Sequence, residues 1–507
     1  MHVNPVMKIS SYFLLTLFIL LLPVYAFSQE APLMKLTLDH TIEIAIDSSL
    51  QAFKEKDRYY ASYWEFRAYK AARLPSLNLS MTPLRYNRDF TSRYDSEKNI
   101  DIYRSQRSIR SSGNLSIRQN FDLTGGTFYI DSELGYLRNF GDTVYTQFST
   151  VPVRIGYYQD LFGFNSFKWE KKIEPLKYQY ARQQYLYNRE AISEKTTEHF
   201  FTLAMAQAEY DMAVENVASS DTLYWIGAER HKIAAISQAD LMTLKLDALN
   251  AKNSLKNADI KLKRAMFGLV SYLNLDKETS IQLILPEVPA DVRISEEDAL
   301  LYAAENNPDF LGNKKTILEA EREVDKTKKT TNFEASFSAS VGFNQVADNF
   351  RDAYSNPLQQ DIVSLSLSIP LVDWGVRKGK ANMAKSNLNV AKLTVQQEEL
   401  NLEQDIIMTV RDFNVQQNMI LGAEEALNLA NMAYNNTKER FIIGKADINS
   451  LTLSQNRQKE AQKNYISALQ EYWQSYYKIR KLTLFDFEKE KTLSESFEQG
   501  LNLGITY

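Results

Sequence analysis

The chain has 507 residues, a net charge of −4, 24% charged and 44% hydrophobic residues, and no cysteine. Without Cys there are no disulfides, no thiolate metal sites, no Cys nucleophile and no lipid anchored on a thiol, and the four histidines, His2, His40, His199 and His231, fall in no zinc-ligand spacing. The slightly acidic balance argues against nucleic acid as a partner, because neutralising phosphates needs clustered Lys and Arg.

Lys8 precedes an uncharged apolar run, Tyr12–Val24, and Ala26-Phe27-Ser28 follows as a small-x-small site. This pattern predicts a secretory signal peptide over residues 1–28. The apolar run is shorter than the ~20 residues that a membrane-spanning helix needs. Beyond Ser28 no apolar stretch approaches that length. An exported chain of this kind is periplasmic, secreted, or a closed β-barrel of an outer membrane.

A helix is predicted over Leu38–Arg73, then strands through Leu77-Leu79-Met81, Leu115–Phe121, Phe128–Tyr136 and Val153-Ile155-Tyr157. Thr124-Gly125-Gly126 between the middle two reads as a hairpin turn. A very long helix from about Trp169 to Lys232 follows, then a short break and a helix over Gln238–Phe267. Leu283–Val292, with Pro286 and Pro289, is a linker. Another helix is predicted over Ile294–Lys329, with alternating strands through Ala335–Phe343 and Val363–Leu371 after it. From Val376 to Ile443 apolar residues recur at steps of 3, 4 or 7 without a proline, so this helix is ~100 Å long. A last helix covers Ile448–Lys481.

The order of elements occurs twice. Leu36–Phe53 (LTLDHTIEIAIDSSLQAF) aligns with Ile294–Leu311 (ISEEDALLYAAENNPDFL) at an offset of 258. Glu229–Ala234 aligns with Glu439–Gly444 at an offset of 210. The difference implies an insertion in the first copy, within about residues 85–148, that is either extracellular or supplies extra strands. The predicted organisation is therefore a first repeat over 29–285, a second over 286–488, and a tail over 489–507. Period-2 strands fit a membrane barrel and a soluble half-buried sheet alike, though the Ser-rich second face suits a wet lumen. The long helices must pack side by side on an Ala-containing stripe, as a rod or curved into a tube.

Four motifs, in this order and behind an export signal, carry a family resemblance: Leu74-Pro75-Ser76-Leu77, Ile294–Pro308 (ISEEDALLYAAENNP), Ser368–Ala381 (SIPLVDWGVRKGKA) and Glu439–Leu451 (ERFIIGKADINSL). From about Leu36 to Phe487 the chain resembles the outer-membrane efflux protein (TolC) family. The resemblance implies an α+β membrane protein: a homotrimer with an outer-membrane β-barrel, four strands from each protomer, continuous with a long periplasmic α-helical barrel. It implies a passive channel of a tripartite efflux or type I secretion system. The partners would be a periplasmic adaptor (membrane fusion) protein, an inner-membrane pump and outer-membrane lipid, with no cofactor, no metal and no enzymatic reaction. The alternative is an exported coiled-coil structural protein or adhesin.

On that reading Ile233, Ala234 and Ala235 at the first helix break and Ile443, Gly444 and Lys445 at the second are candidate adaptor contacts. Gly444 is expected to reverse the chain in a left-handed conformation. The family often has Gly where Ala234 stands. Asp240, Asp447 and Ser450 are candidates for the periplasmic pore mouth, where a negative field favours cations, although both aspartates also suit a helix cap. Trp169 and Trp374 flank the strand-to-helix junctions, as membrane-interface or junction-packing aromatics.

Overall fold

The computed structural model describes residues 33–140, 144–287, 292–331 and 333–495. The predicted signal peptide, 1–28, lies outside them, as do residues 496–507 of the predicted tail. The chain forms two compact units, Met1–Ile44 with His199–Glu287, and Ala45–Glu198 with Val288–Tyr507.

In the first unit a two-stranded parallel sheet pairs β1 (Leu33–Leu36) with β6 (Ser280–Leu283), Leu36 opposite Leu283. The unit takes the C-terminal part of α3 (Ser166–Lys232) and all of α4 (Gln238–Tyr272). Phe200, Phe201, Leu203, Leu269 and Ile281 are fully buried here. Each such side chain contributes ~1.5–3 kcal/mol relative to exposure. The Gln207 amide grips β6: its Nε2–H donates to the Ile281 carbonyl at 2.7 Å, and its Oε1 accepts from the Leu283 N–H at 3.2 Å.

The second unit holds an antiparallel six-stranded sheet. Its strands are β2 (Ser76–Asp95), β3 (Ile100–Phe121), β4 (Gly126–Phe140), β5 (Val144–Asp160), β7 (Glu334–Ala347) and β8 (Leu358–Ser368), paired in that order. The resemblance implied four strands from each protomer; among the described residues this sheet has six, with β3 and β4 lying within residues 85–148. The new strands lie in the sheet between β2 and β5.

Cross-strand pairing assigns every side chain to a face. One row, Leu77, Ile117, Ile130, Ile155 and Val341, is apolar across five strands. A bulge between Thr82 and Arg85 shifts β2 by one residue, so Tyr86 and Phe90 stay on the same face as Leu77, Leu79 and Met81. The polar face carries Asn78, Ser116, Asp131, Arg154, Ser340 and Ser364. Exposure runs opposite to that of a soluble sheet. Leu77 is 65% and Val363 74% exposed, whereas Asp131 is 7% and Ser116 6% exposed. The apolar face is the open one, and the Arg154 Nη2 to Asp131 Oδ2 pair (3.1 Å) lies on the enclosed one.

Aromatic rings edge the open apolar face at both ends. Near the helices Phe121 meets Phe128 edge-on at 6.2 Å, and Phe128 meets Tyr157 at 4.5 Å. Near the far ends of the strands Tyr136 meets Phe148 at 5.2 Å, and Phe350 closes on Phe148 at 6.0 Å.

Two of the predicted helices are each split in two. Leu38–Arg73 forms α1 (Leu38–Ser48) and α2 (Leu50–Ala71), because extended Ser49 caps α2 by accepting the Ala52 N–H at 3.1 Å. Ile294–Lys329 forms α5 (Glu296–Asn306) and α6 (Pro308–Thr330). Asn307 precedes a proline, which disfavours helical backbone, and its side chain caps α6. After the one-turn α7 (Asp352–Ser355), α8 (Val376–Ile442) and α9 (Ile448–Thr483) form a long antiparallel pair. Its buried stripe includes Ile406, Val410, Phe413 and Ile420 on α8, and Ile466, Leu469 and Tyr472 on α9. At 67 residues α8 is ~100 Å long, as the sequence periodicity predicted.

The end of α9 is locked by buried charge. Arg480 reaches Glu190 of α3 at 3.2 Å and Asp486 at 3.2 Å, and the Tyr476 hydroxyl donates to Asp486 at 2.9 Å. Burial disfavours the guanidinium charge, but Glu190 and Asp486 outweigh it and hold the pKa of Arg480 above its usual value. Replacing Arg480 with Leu leaves two carboxylates without their cation, and we expect a loss of about 3–5 kcal/mol. Thermal unfolding of purified protein measures this; an unchanged midpoint would show that the cluster does not hold the fold.

Candidate functional site: the two helix reversals

At the first reversal α3 ends in a Schellman motif. The Ala235 N–H donates to the Arg230 carbonyl and the Ala234 N–H to the His231 carbonyl, both at 2.9 Å. This closure requires a left-handed residue, and Ala234 takes it at φ +58°. Ser237 then caps α4: its Oγ accepts the Asp240 N–H at 3.1 Å, while Asp240 Oδ2 accepts the Ser237 N–H at 3.2 Å. Asp240 is therefore the third helical residue of a capping box.

The second reversal uses the same bonds. The Lys445 N–H donates to the Arg440 carbonyl at 2.8 Å and the Gly444 N–H to the Phe441 carbonyl at 2.9 Å, with Gly444 at φ +80°. The left-handed glycine expected from the sequence is present. Asp447 caps α9, its Oδ1 accepting the Ser450 N–H at 2.6 Å. That backbone N–H holds the Asp447 carboxyl below the usual carboxylate range.

At an offset of 210, Ser237 corresponds to Asp447 and Asp240 to Ser450. The two reversals thus place Ser and Asp in opposite order, and each keeps a carboxylate in the positive field of a helix N-terminus. The S-x-x-D spacing of a capping box was readable in the sequence, so Ser237 was a legible cap that the charge-led reading passed over. Both reversals present an exposed isoleucine, Ile233 at 76% and Ile443 at 64%. Ala235, Lys445, Asp240 and Asp447 are exposed as well.

The two tryptophans differ. Trp169 lies in the first turn of α3, where its indole N–H donates to Asp325 on α6 at 2.9 Å. Asp325, which also pairs with Lys329 at 3.1 Å, is the partner the sequence reading missed. Trp374 is 95% exposed, left-handed at φ +52°, and precedes Gly375 at φ +91°. Asp373 ties this corner together by accepting from the Arg377 side chain at 2.6 Å and the Arg377 N–H at 2.9 Å. The Arg377 guanidinium and the backbone N–H groups hold the Asp373 carboxyl at about 2.

The reversals predict an asymmetry. A left-handed non-glycine residue costs about 1 kcal/mol more than glycine. Ala234→Gly should therefore stabilise the first reversal by about that amount, and Gly444→Ala should destabilise the second similarly. Hydrogen exchange at each turn reads both; equal responses to the two substitutions would refute the assignment.

Residues 300–483 match the sequence profile of the family described as outer membrane efflux protein. No curated protein matches the chain by sequence. Among solved structures the chain is similar to the Campylobacter jejuni CmeC outer membrane channel, with a TM-score of 0.65 at 14% identity over 91% of this chain and 88% of that one. It is similar to the outer membrane protein VceC of Vibrio cholerae, at 0.62 and 14% over 88% and 95%. The open-state MtrE outer membrane channel of Neisseria gonorrhoeae gives 0.57 and 12% over 89% of each chain. Residues 300–483 thus carry the profile of the outer membrane efflux protein family, and the chain shares the fold of these outer-membrane channels over most of its length.

Proposed function

We propose that the protein is the outer-membrane channel of a tripartite efflux or type I secretion system, conducting solutes passively to the exterior. The observation that carries this is the reversal on the inner strands: Ile117, Ile130, Ile155 and Val341 are exposed, whereas Ser116, Asp131 and Ser340 on the other face are buried. Only an apolar solvent stabilises such a face. The aromatic rows stand eight residues apart on β4, from Phe128 to Tyr136, a spacing of roughly 27 Å along an extended strand that suits the ~25 Å apolar belt of outer-membrane barrels. No described helix is long and apolar enough to cross a membrane.

The sheet has two free edges, β2 and β8. Unpaired edges are normally covered. Three copies joining β2 to β8 would close a barrel, with β3 and β4 enlarging it because they lie within the sheet. Two repeats with one insertion account for the element bounds: α1 and α5 start 258 residues apart, as do β2 and β7, whereas α3 and α8 start and end 210 apart. The exposed tips Ile233-Ala234-Ala235 and Ile443-Gly444-Lys445 are the proposed contacts for a periplasmic adaptor that couples the channel to an inner-membrane pump. Exposed Trp374 suits a membrane interface, whereas the hydrogen bond of Trp169 favours junction packing.

The reading predicts heat-modifiable trimers in outer-membrane fractions. It also predicts that Gly444→Arg abolishes pump-dependent export at normal trimer levels while Gly444→Ala, which adds strain without bulk, largely retains it. Export by Gly444→Arg equal to wild type would remove the docking role.

Asp240 and Asp447 are proposed to supply charge at the periplasmic mouth as well as caps. Asn caps a helix nearly as well as Asp, so Asp447→Asn together with Asp240→Asn chiefly removes charge. Single-channel recordings should show reduced cation preference; unchanged selectivity would leave the aspartates as caps alone.

A further inference from the structure

Beside the aromatic row remote from the helices, the exposed face of the sheet carries three arginines among further aromatic rings. Arg88 on β2 lies directly opposite Arg107 on β3. Arg138 on β4 lies opposite Ile109 on β3, diagonal to Arg107 and two residues beyond Tyr136. Arg88 likewise stands two residues beyond Tyr86. All three are exposed, and none joins an ion pair among the described residues. The Arg138 guanidinium rests over the Phe140 ring at 5.0 Å.

Like charges directly opposite on neighbouring strands repel. An arginine pair of this kind, with no carboxylate bonded to it among the described residues, is relieved by an anion held between the guanidinium forks, and phosphate is the group these forks match best. The place in the sheet chooses the anion's carrier. Below the arginines the same face is mainly apolar, with Leu115, Ile117, Ile130 and Leu134, and beyond them it carries the rings of Phe90, Tyr103 and Phe140, so a ligand reaching all three can lay acyl chains along the apolar stretch and set phosphate among the arginines. The cluster stands toward the strand ends remote from the helices, the side that faces the exterior.

We propose that Arg88, Arg107 and Arg138 form a docking site for the phosphorylated head of lipopolysaccharide in the outer leaflet, its acyl chains lying along the apolar stretch. This rests on the outer-membrane reading above. The site lies largely in the 85–148 insertion, which gives those extra strands a lipid-binding role in addition to widening the sheet.

The test uses purified trimer, lipopolysaccharide, and the same lipid with its phosphates removed. Wild-type protein should bind the phosphorylated lipid at least about tenfold more tightly than the dephosphorylated form, the scale of one or more charge-assisted hydrogen bonds. Arg88→Gln, Arg107→Gln and Arg138→Gln combined should abolish that preference. Arg85 and Arg110, also paired opposite each other but on the polar face, supply the control. Arg85→Gln with Arg110→Gln should leave lipid binding unchanged. The proposal is overturned if the triple variant retains the preference, if the control loses it equally, or if vesicles of phosphatidylglycerol compete as well as lipopolysaccharide. Fractionation of wild-type cells separates the two levels. Protein absent from the outer membrane defeats the channel reading, whereas correctly located protein without the preference defeats this inference alone.

Discussion

The apolar face of the six-stranded sheet has nothing of this protomer covering most of it. Period-2 alternation places Leu77, Ile117, Ile130, Ile155 and Val341 in one row, and the fold leaves that row open. In water such a face is a large penalty; in a bilayer it costs nothing and the polar groups must turn inward. The bulge in β2 keeps Tyr86 and Phe90 on the same face, and the Arg154–Asp131 pair is sheltered on the other. Among the described residues β2 and β8 are the sheet's edge strands.

The helices answer a different constraint. A ~100 Å helix cannot surround its own core, so α8 buries one stripe against α9 and leaves the rest wet. Buried charge is confined to the end of this pair, where Arg480 joins Glu190 and Asp486. At the other end the chain reverses through a Schellman motif and a capped helix start. The same bonds form at the first reversal with different residues: Ala for Gly at the left-handed position, and Ser and Asp in opposite order in the cap. The backbone geometry is held while the side chains vary, which leaves the exposed tips free to differ in what they contact.

The long helices were legible because propensity and a single apolar stripe determine them locally, and the predicted Val376–Ile443 helix differs from α8 by one residue at its end. The splits at Ser49 and Asn307 were less legible. Apolar periodicity runs through them, and only the local competition of a capping side chain or a following proline breaks the helix. Asp240 and Asp447 suit a pore charge and a helix start alike in sequence, and both bond at helix starts, because a carboxylate three residues from a backbone N–H finds it before any distant partner. Trp169 and Trp374 looked equivalent in sequence but differ in structure, because only Trp169 has a carboxylate, Asp325, brought to it from a helix 156 residues away.

The sequence by itself determined the alternation of the strands, the length of the helices and the positions of both reversals, since each follows from near-neighbour spacing along the chain. It left open whether the alternating strands face water or lipid, and what the insertion does. Only tertiary structure decided which face is enclosed, that β3 and β4 enter the sheet between β2 and β5, and that Arg88, Arg107 and Arg138 gather on one face of it. The physical reason is register: which residues share a face across strands depends on pairing and bulges between segments distant in sequence, and no local pattern encodes it.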